Sequence, residues 1–159
     1  MSEKPSILII DDDENLLETL SDILQEKGYQ IETAKTGEEA ITKSKEHFFH
    51  IALIDIKLPD MTGTEILRTF RKEYPFRMNI IITGYATIQN TVEALNLGAN
   101  AYIMKPIDHK KLDRITKKVP TNIQTSIMPL TFSKNGKPML KAKDSIQKLG
   151  IRYMHIKRI

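Results

Sequence analysis

The residues of this chain that could do chemistry fall into four polar clusters, and each cluster ends a short run rich in apolar residues. The clusters are Asp11-Asp12-Asp13, Asp55, Thr83-Gly84 and Lys105-Pro106, and the runs before them are Ile7–Ile10, Ile51–Ile54, Asn79–Ile82 and Ala101–Met104. Carboxylates, a hydroxyl and an ammonium gathered in one place would suit a divalent cation and a phosphate group. The sequence therefore indicates phosphate chemistry, provided that the fold brings the four positions together.

The elements that would position these clusters can be predicted from hydrophobic patterning. Through the first 119 residues, apolar runs alternate with amphipathic helical patterns, which is typical of strands buried in a parallel sheet. We predict five strand–helix pairs, with the first helix over about Asn15–Lys27, capped by Gly28, and the last over about His109–Lys118. Ligands bind beyond the carboxyl ends of such strands, so the four clusters should converge in an α/β domain.

The charges at that edge predict a metal ion. Asp11, Asp12 and Asp55 would lie close together, because neighbouring strands are only about 4.8 Å apart. Two like charges about 4 Å apart repel by roughly 4 kcal/mol at an effective dielectric constant near 20. Clustered carboxylates therefore need a cation or raised pKa values. Lys105 supplies one positive charge, and Mg²⁺ would supply two more while keeping waters that a phosphate can replace.

Asp55 is the candidate nucleophile of the set, because carboxylates can form aspartyl-phosphates. The charge that develops on the phosphoryl oxygens could be held by the metal, by Lys105 and by the Thr83 hydroxyl. The structural alternative is that acidic residues after strands are helix caps, and we interpret Asp13 in that way. A cap explains neither Lys105 nor the single Asp55.

In their order and spacing the four motifs resemble the receiver domain of two-component response regulators, over about residues 5–119. The resemblance implies a doubly wound (βα)5 fold, with helices on both faces of a five-stranded parallel sheet in the order 2-1-3-4-5. It also implies Mg²⁺ as the cofactor. The metal ligands expected from the family are Asp12, Asp55 and the backbone of Lys57, with Asp11 in the same acidic site.

The resemblance also implies a function. A sensor histidine kinase would transfer a phosphoryl group to Asp55, and slow self-dephosphorylation would follow. Thr83 and Tyr102 stand at the switch positions, and the Lys105–Pro106 peptide is expected to be cis. The signal would pass to an unknown downstream protein through the face formed by helix four, strand five and helix five, from a monomer or a phosphorylation-dependent dimer.

The bulk properties agree with this interpretation. The chain of 159 residues contains no cysteine, which excludes disulfides and thiolate zinc sites. No apolar stretch approaches the roughly 20 residues of a membrane span, and the N-terminus lacks the apolar core of a signal peptide. We therefore expect a cytoplasmic protein without membrane contact. Neither a phosphate-binding loop nor a dinucleotide fingerprint occurs, so nucleotide binding has no support.

The charge distribution divides the chain in two. Residues 120–159 carry eight Lys/Arg against one acid, which leaves 16 basic and 19 acidic residues in 1–119. We predict a receiver domain over 1–119 and a basic C-terminal extension over 120–159. Asn135-Gly136 favours a hairpin turn, and about Lys143–Leu149 a short helix; a partly disordered extension is the alternative.

Other functions stay open. The basic extension could contact nucleic acid and make the chain a DNA-binding transcriptional regulator, although a solvated extension is favoured over that reading. A receiver that serves only as a docking scaffold would have no Mg²⁺ affinity. A haloacid-dehalogenase-like phosphatase is a poor match, because Asn15 stands where its motif wants Thr or Val.

Overall fold

The computed structural model describes residues 4–117, in which five strands alternate with five helices. The elements are β1 (Ser6–Ile10), α1 (Glu14–Glu26), β2 (Gln30–Ala34), α2 (Gly37–Glu46), β3 (Ile51–Asp55), α3 (Gly63–Glu73), β4 (Met78–Thr83), α4 (Ile88–Asn96), β5 (Ala101–Met104) and α5 (His109–Thr116). The predicted hairpin and helix of the basic extension lie outside the described residues.

All strand pairs of the sheet are parallel, and the strand order is β2-β1-β3-β4-β5. The predicted fold class and strand order are therefore confirmed. In the register, Ile10 pairs with Ile54 of β3, and Asp55 pairs with Ile82 of β4. The carboxyl ends of β1, β3 and β4 consequently lie side by side, which is where the polar clusters begin.

Alternate residues of the strands face two separate hydrophobic cores. Ile7 and Ile9 pack with the apolar residues of α1 and α5 on one face of the sheet. Leu8 and Ile10 face the other way, into a core shared with α2, α3 and α4. This period of two, on strands whose apolar residues are buried on both sides, explains why the sequence shows continuous apolar runs. Helices on both faces of the sheet are confirmed.

The helix ends follow local capping rules. The Asp13 carboxylate accepts hydrogen bonds from the backbone N–H groups of Asn15 and Leu16, which confirms its predicted role as the cap of α1. That helix begins at Glu14, one residue before the predicted start. Gly28 follows it with a φ of 93°, a left-handed conformation that favours glycine. Within the described residues, none of the helices is long and apolar enough to span a membrane.

Candidate functional site

Three carboxylates meet at the carboxyl edge of the sheet. One oxygen from each of Asp11, Asp12 and Asp55 can be chosen so that all three lie within 4.8 Å of one another. Asp55 ends β3, and the aspartate pair directly follows the neighbouring β1, so the sheet register alone produces this proximity. Asp11 and Asp55 are buried, whereas Asp12 is exposed. The structure therefore brings together the acidic residues that the sequence singled out.

Lys105 reaches the same place from the end of β5. Its Nζ lies 2.6 Å from Oδ2 of Asp11 and 3.4 Å from Oδ2 of Asp55. The Lys105–Pro106 peptide bond is cis, as expected. Burial alone would lower the pKa of Lys105, but the hydrogen bond to Asp11 and the charges of both carboxylates outweigh burial and raise it. The ammonium is therefore firmly protonated between two of the three carboxylates.

The Asp55 carboxylate is the least satisfied group of the cluster. Burial, with the charge of Asp11 as a second cause, raises its pKa against the opposing effect of Lys105. The backbone N–H of Lys57 also favours the ionised form of Asp55, as a smaller influence on its pKa. Oδ1 is the Asp55 oxygen that stays open. That oxygen is buried and has no hydrogen-bond partner within residues 4–117. A buried acceptor of this kind calls for a further cation or donor.

The two oxygens of Asp11 already have partners within the protein. Oδ2 contacts Lys105, and Oδ1 accepts a hydrogen bond from the backbone N–H of Asp13 at 2.9 Å. Oxygen donors from Asp12, Asp55 and the Lys57 carbonyl suit the hard ligand preference of Mg²⁺. The orphaned Oδ1 of Asp55 supports that fit, so these residues could hold the metal while Asp11 anchors the lysine.

Thr83 ends β4, next to β3, the strand that ends at Asp55. Because Asp55 pairs with Ile82 in the register, Thr83 stands one residue beyond that pair, and it is completely buried. Its Oγ1 accepts a hydrogen bond from the backbone N–H of Tyr85 at 3.0 Å. This bond uses a lone pair of the oxygen, so it does not prevent the hydroxyl from donating its hydrogen. This placement is compatible with the role that the sequence suggested.

Tyr102 lies on β5, one of the two edge strands of the sheet. Its ring packs against the core shared by α2, α3 and α4. Its hydroxyl oxygen is buried and has no hydrogen-bond partner in the described part of the chain. The ring is thus directed inward, as the switch position requires in one of its two states. Whether it switches remains a prediction.

Two features of the site could not be predicted from local sequence patterns. The Lys57 ammonium lies 4.4 Å from the centre of the Tyr85 ring, so a cation–π contact links the loops after β3 and β4. At Gly63 an added Cβ would come within 2.3 Å of the Asp55 carbonyl oxygen. The start of α3 therefore packs directly on the backbone of Asp55, and a side chain at position 63 would push the two backbones apart.

A family model described as the response regulator receiver domain matches residues 7–117, well over half of the chain. The chain therefore belongs to the response regulator receiver domains of two-component systems. This membership agrees with the fold, the cis Lys–Pro bond and the acidic site.

Longer regulators are among its curated relatives. The transcriptional regulatory protein ZraR of Klebsiella oxytoca is 33% identical over 129 residues, 81% of this chain and 29% of ZraR. The photosynthetic apparatus regulatory protein RegA of Rhodovulum sulfidophilum is 36% identical over 110 residues, 68% of this chain and 59% of RegA. The matched part of the chain spans less than two thirds of either relative.

Solved structures show the same fold. A CheY-like response regulator receiver domain protein from Methanospirillum hungatei is 45% identical, with a TM-score of 0.70 over 73% of this chain and 94% of that one. The response regulator TrrA from Thermotoga maritima, solved in complex with Mg²⁺-BeF, is 31% identical, with a TM-score of 0.67 over 73% of this chain and 99% of TrrA.

Proposed function

We propose that Asp55 accepts a phosphoryl group from a sensor histidine kinase, and that the chain is a phosphorylation-dependent signalling protein. One observation carries this proposal: the buried Asp55 carboxylate has an unpartnered oxygen within a cluster of two further aspartates and one lysine. Structural ion pairs are normally satisfied, so an acceptor left open beside a fixed ammonium indicates a group that arrives from outside.

The chemistry is an in-line displacement at phosphorus. An oxygen of Asp55 forms a bond to phosphorus while the P–N bond of the phosphohistidine breaks, and the bonding electrons return to the imidazole nitrogen. Lys105 is the clamp for a phosphoryl oxygen, because its Nζ already lies 3.4 Å from the Asp55 carboxylate. The Thr83 hydroxyl would donate to a phosphoryl oxygen once it leaves its present arrangement at the end of β4.

Mg²⁺ is the proposed cofactor, held by Asp12, Asp55 and the Lys57 carbonyl, with Asp11 adjacent. When bound, it would neutralise charge on the carboxylates and on the phosphoryl oxygens. The orphaned oxygen of Asp55 supports this assignment, as does the Mg²⁺-BeF complex of TrrA. The chain's own residues do the rest: Asp11 orients Lys105, and burial keeps bulk water from Asp55.

The output surface is the face of α4, β5 and α5. Ile88, Val92 and Leu95 form an exposed apolar stripe on α4, and Met104 is exposed on the adjacent β5. Apolar side chains grouped in this way are typical of protein-binding surfaces. Movement of Thr83 toward the phosphoryl group, coupled to Tyr102 on β5, would change this face and so its affinity for a downstream protein or a second copy. We place the protein in the cytoplasm, with slow hydrolysis of the aspartyl-phosphate ending the signal.

Phosphorylation can be tested with a small phosphodonor, Mg²⁺ and intact-mass measurement. The wild type should gain one phosphoryl mass, and Asp55→Asn should gain none. Asp13→Asn is the matched control: it removes a neighbouring carboxylate but keeps a good helix cap, so it should be phosphorylated normally. A wild type without the adduct, or an adduct that persists in Asp55→Asn, would refute the proposal.

A transcriptional output is the second candidate. ZraR, whose matched region covers 81% of this chain, is named as a transcriptional regulatory protein, and residues 120–159 carry eight basic side chains. Contacts to DNA phosphates would make binding strongly salt-dependent. Duplex binding at low salt that disappears when 120–159 are deleted would support this output, and no binding at low salt would exclude it.

A further inference from the structure

The loop between β3 and α3 carries Lys57, and the tip of this loop is bonded to a different helix. The Asp60 carboxylate accepts one hydrogen bond at each oxygen, from the backbone N–H groups of Gly37 and Glu38, both at 2.9 Å. These two residues begin α2. Asp60 therefore links the loop after the acceptor strand to a helix 23 residues earlier in the chain.

The link is more than an ordinary helix cap, because α2 already has one. The Thr36 hydroxyl accepts a hydrogen bond from the backbone N–H of Glu39 at 3.1 Å, as an N-cap does. Asp60 takes the other free donors of the same turn. Those N–H groups favour its ionised form, and they lower the pKa of the Asp60 carboxyl. The anion and the helix N-terminus attract each other.

The neighbouring side chain strengthens the same junction. An added Cβ at Gly37 would lie 2.3 Å from Cγ of Met61, so the loop packs against the helix backbone with no room between them. The tip of the loop is thus held by two hydrogen bonds and by a close packing contact.

The base of the loop is held against the end of β3. Lys57 and Thr62 form an antiparallel bridge, and the Gly63 N–H donates to the Ile56 carbonyl at 2.7 Å. Gly63 in turn packs on the backbone of Asp55. Lys57 consequently lies between a base fixed to Asp55 and a tip fixed to α2.

From this arrangement we infer that Asp60 is a positioning residue for the metal site: by tying the loop to α2, it holds the Lys57 carbonyl where Mg²⁺ needs it, without touching the metal. The inference rests on the proposed function, since it concerns the proposed Mg²⁺ ligand. Groups that orient a metal ligand in this way commonly change metal affinity by about 10–100-fold when they are removed.

The test is calorimetric titration of Mg²⁺ into the full chain, compared across variants that weaken the same helix end. Asp60→Ala should bind Mg²⁺ about tenfold more weakly. Asp60→Asn keeps only one of the two acceptors and should bind Mg²⁺ with an affinity between those of the wild type and Asp60→Ala. Thr36→Ala is the matched control, because it removes the helix's own cap and leaves the loop contacts in place. It should lower the urea midpoint to a similar extent without changing Mg²⁺ affinity.

Each outcome decides the matter. Equal Mg²⁺ affinity in Asp60→Ala and wild type, or equal weakening in Asp60→Ala and Thr36→Ala, would show that Asp60 only stabilises the helix, and the inference would be overturned while the proposed function stands. If the wild type bound no Mg²⁺, the proposed metal site itself would fail. Should Asp60→Ala not fold, Asp60→Asn decides: wild-type affinity overturns the inference, and a weaker affinity supports it.

Discussion

Lys105, which is partly buried, and Arg77, which is buried, are cations at opposite edges of the same sheet, and they are stabilised in different ways. Lys105 follows β5 and contacts two carboxylates, Asp11 and Asp55. Arg77 immediately precedes β4 and is only 2% exposed. The contacts shown for Arg77 are neutral: its Nε donates to the Phe49 carbonyl and its Nη1 to the Ser44 hydroxyl.

Aromatic rings supply the remaining environment of Arg77. The guanidinium carbon lies 4.1 Å from the centre of the Tyr74 ring, 4.7 Å from that of Phe70 and 5.7 Å from that of Phe49. Burial lowers the pKa of Arg77 to about 10, so it remains protonated at neutral pH. Arginine suits such a place because its planar group stacks on rings and is weakly hydrated.

The two edges differ in how their charges are balanced. At the amino edge, Arg77 is enclosed by neutral groups and aromatic rings, and its Nη2 also has no hydrogen-bond partner within the described residues. At the carboxyl edge, three carboxylates lie close together, one lysine contacts two of them, and an oxygen of Asp55 has no hydrogen-bond partner in the described part of the chain. Uncompensated negative charge destabilises a folded protein. We therefore interpret the carboxyl edge as a place where a bound ligand supplies the missing positive charge or hydrogen-bond donors.

The largest expected effect is that of Lys105→Met on phosphorylation. Without the ammonium that faces Asp55, the transition-state charge loses a fixed partner, and the rate with a small phosphodonor should fall by about 100-fold or more. Mg²⁺ should bind at least as tightly as before, because a competing cation has left the carboxylates. Stopped-time intact-mass measurements give the rate, and calorimetry gives the affinity.

The exposed Lys110 provides a control, since Lys110→Met removes a charge from α5 away from the cluster. A Lys105→Met variant that is folded and phosphorylated at the wild-type rate would reduce Lys105 to a counterion for Asp11. The two edges of the sheet would then differ in composition but not in function.

At the amino edge, Arg77→Met should have the opposite profile. It leaves the buried Phe49 carbonyl without its donor and removes three ring contacts, while it relieves the burial of a charge. We expect a loss of about 2 kcal/mol in the free energy of unfolding, with phosphorylation unchanged. Urea denaturation measures the first quantity, and the intact-mass rate measures the second.

Arg77→Lys sharpens this prediction, because it keeps the charge but loses the planar fork and the stacking. It should be at least as unstable as Arg77→Met. Slower phosphorylation in a folded Arg77 variant would show that the two edges communicate, and the division between them would be wrong.

The sequence predicted the carboxyl edge far better than the amino edge, for a physical reason. The apolar runs of strands and the periodicity of helices are local sequence patterns. Because parallel strands end at the same edge of a sheet, these patterns were enough to predict that Asp11, Asp55 and Lys105 lie close together. The cap at Asp13 depends on residues only two or three positions away.

Contacts between elements distant in sequence leave no such pattern. The Arg77 guanidinium, for instance, meets Ser44 across 33 residues. The Asp60 link to α2 and the inward ring of Tyr102 depend equally on tertiary packing. Nothing in the local sequence around these residues indicates which distant group they contact. The contacts of Arg77 and Asp60 were therefore missed, and Tyr102 was only an expectation from the family resemblance.

The smallest expected effect lies on the surface, where neither edge is involved. Asp113 of α5 contacts Lys117 at 2.8 Å and Lys27 at 2.7 Å. Hydrogen bonds from Lys117 and Lys27 lower the pKa of the Asp113 carboxyl. Because its pKa is lower in the folded state, its contribution to stability is present above the ordinary aspartate value of about 3.9 and is lost as the pH falls through the lowered value.

Asp113→Asn should therefore lower the Tm slightly at neutral pH and low salt, and the difference from the wild type should vanish in strong acid. High salt at neutral pH should remove most of it too, because both lysines are exposed and Asp113 is only partly buried, so salt screens their attraction. Thermal unfolding of both proteins across this grid of conditions measures the effect. A Tm difference that does not change with pH or salt would show that Asp113 stabilises the fold through packing and not through its charge. The Asp113 ion pairs could then not serve as the surface reference for the effects expected at Lys105 and Arg77.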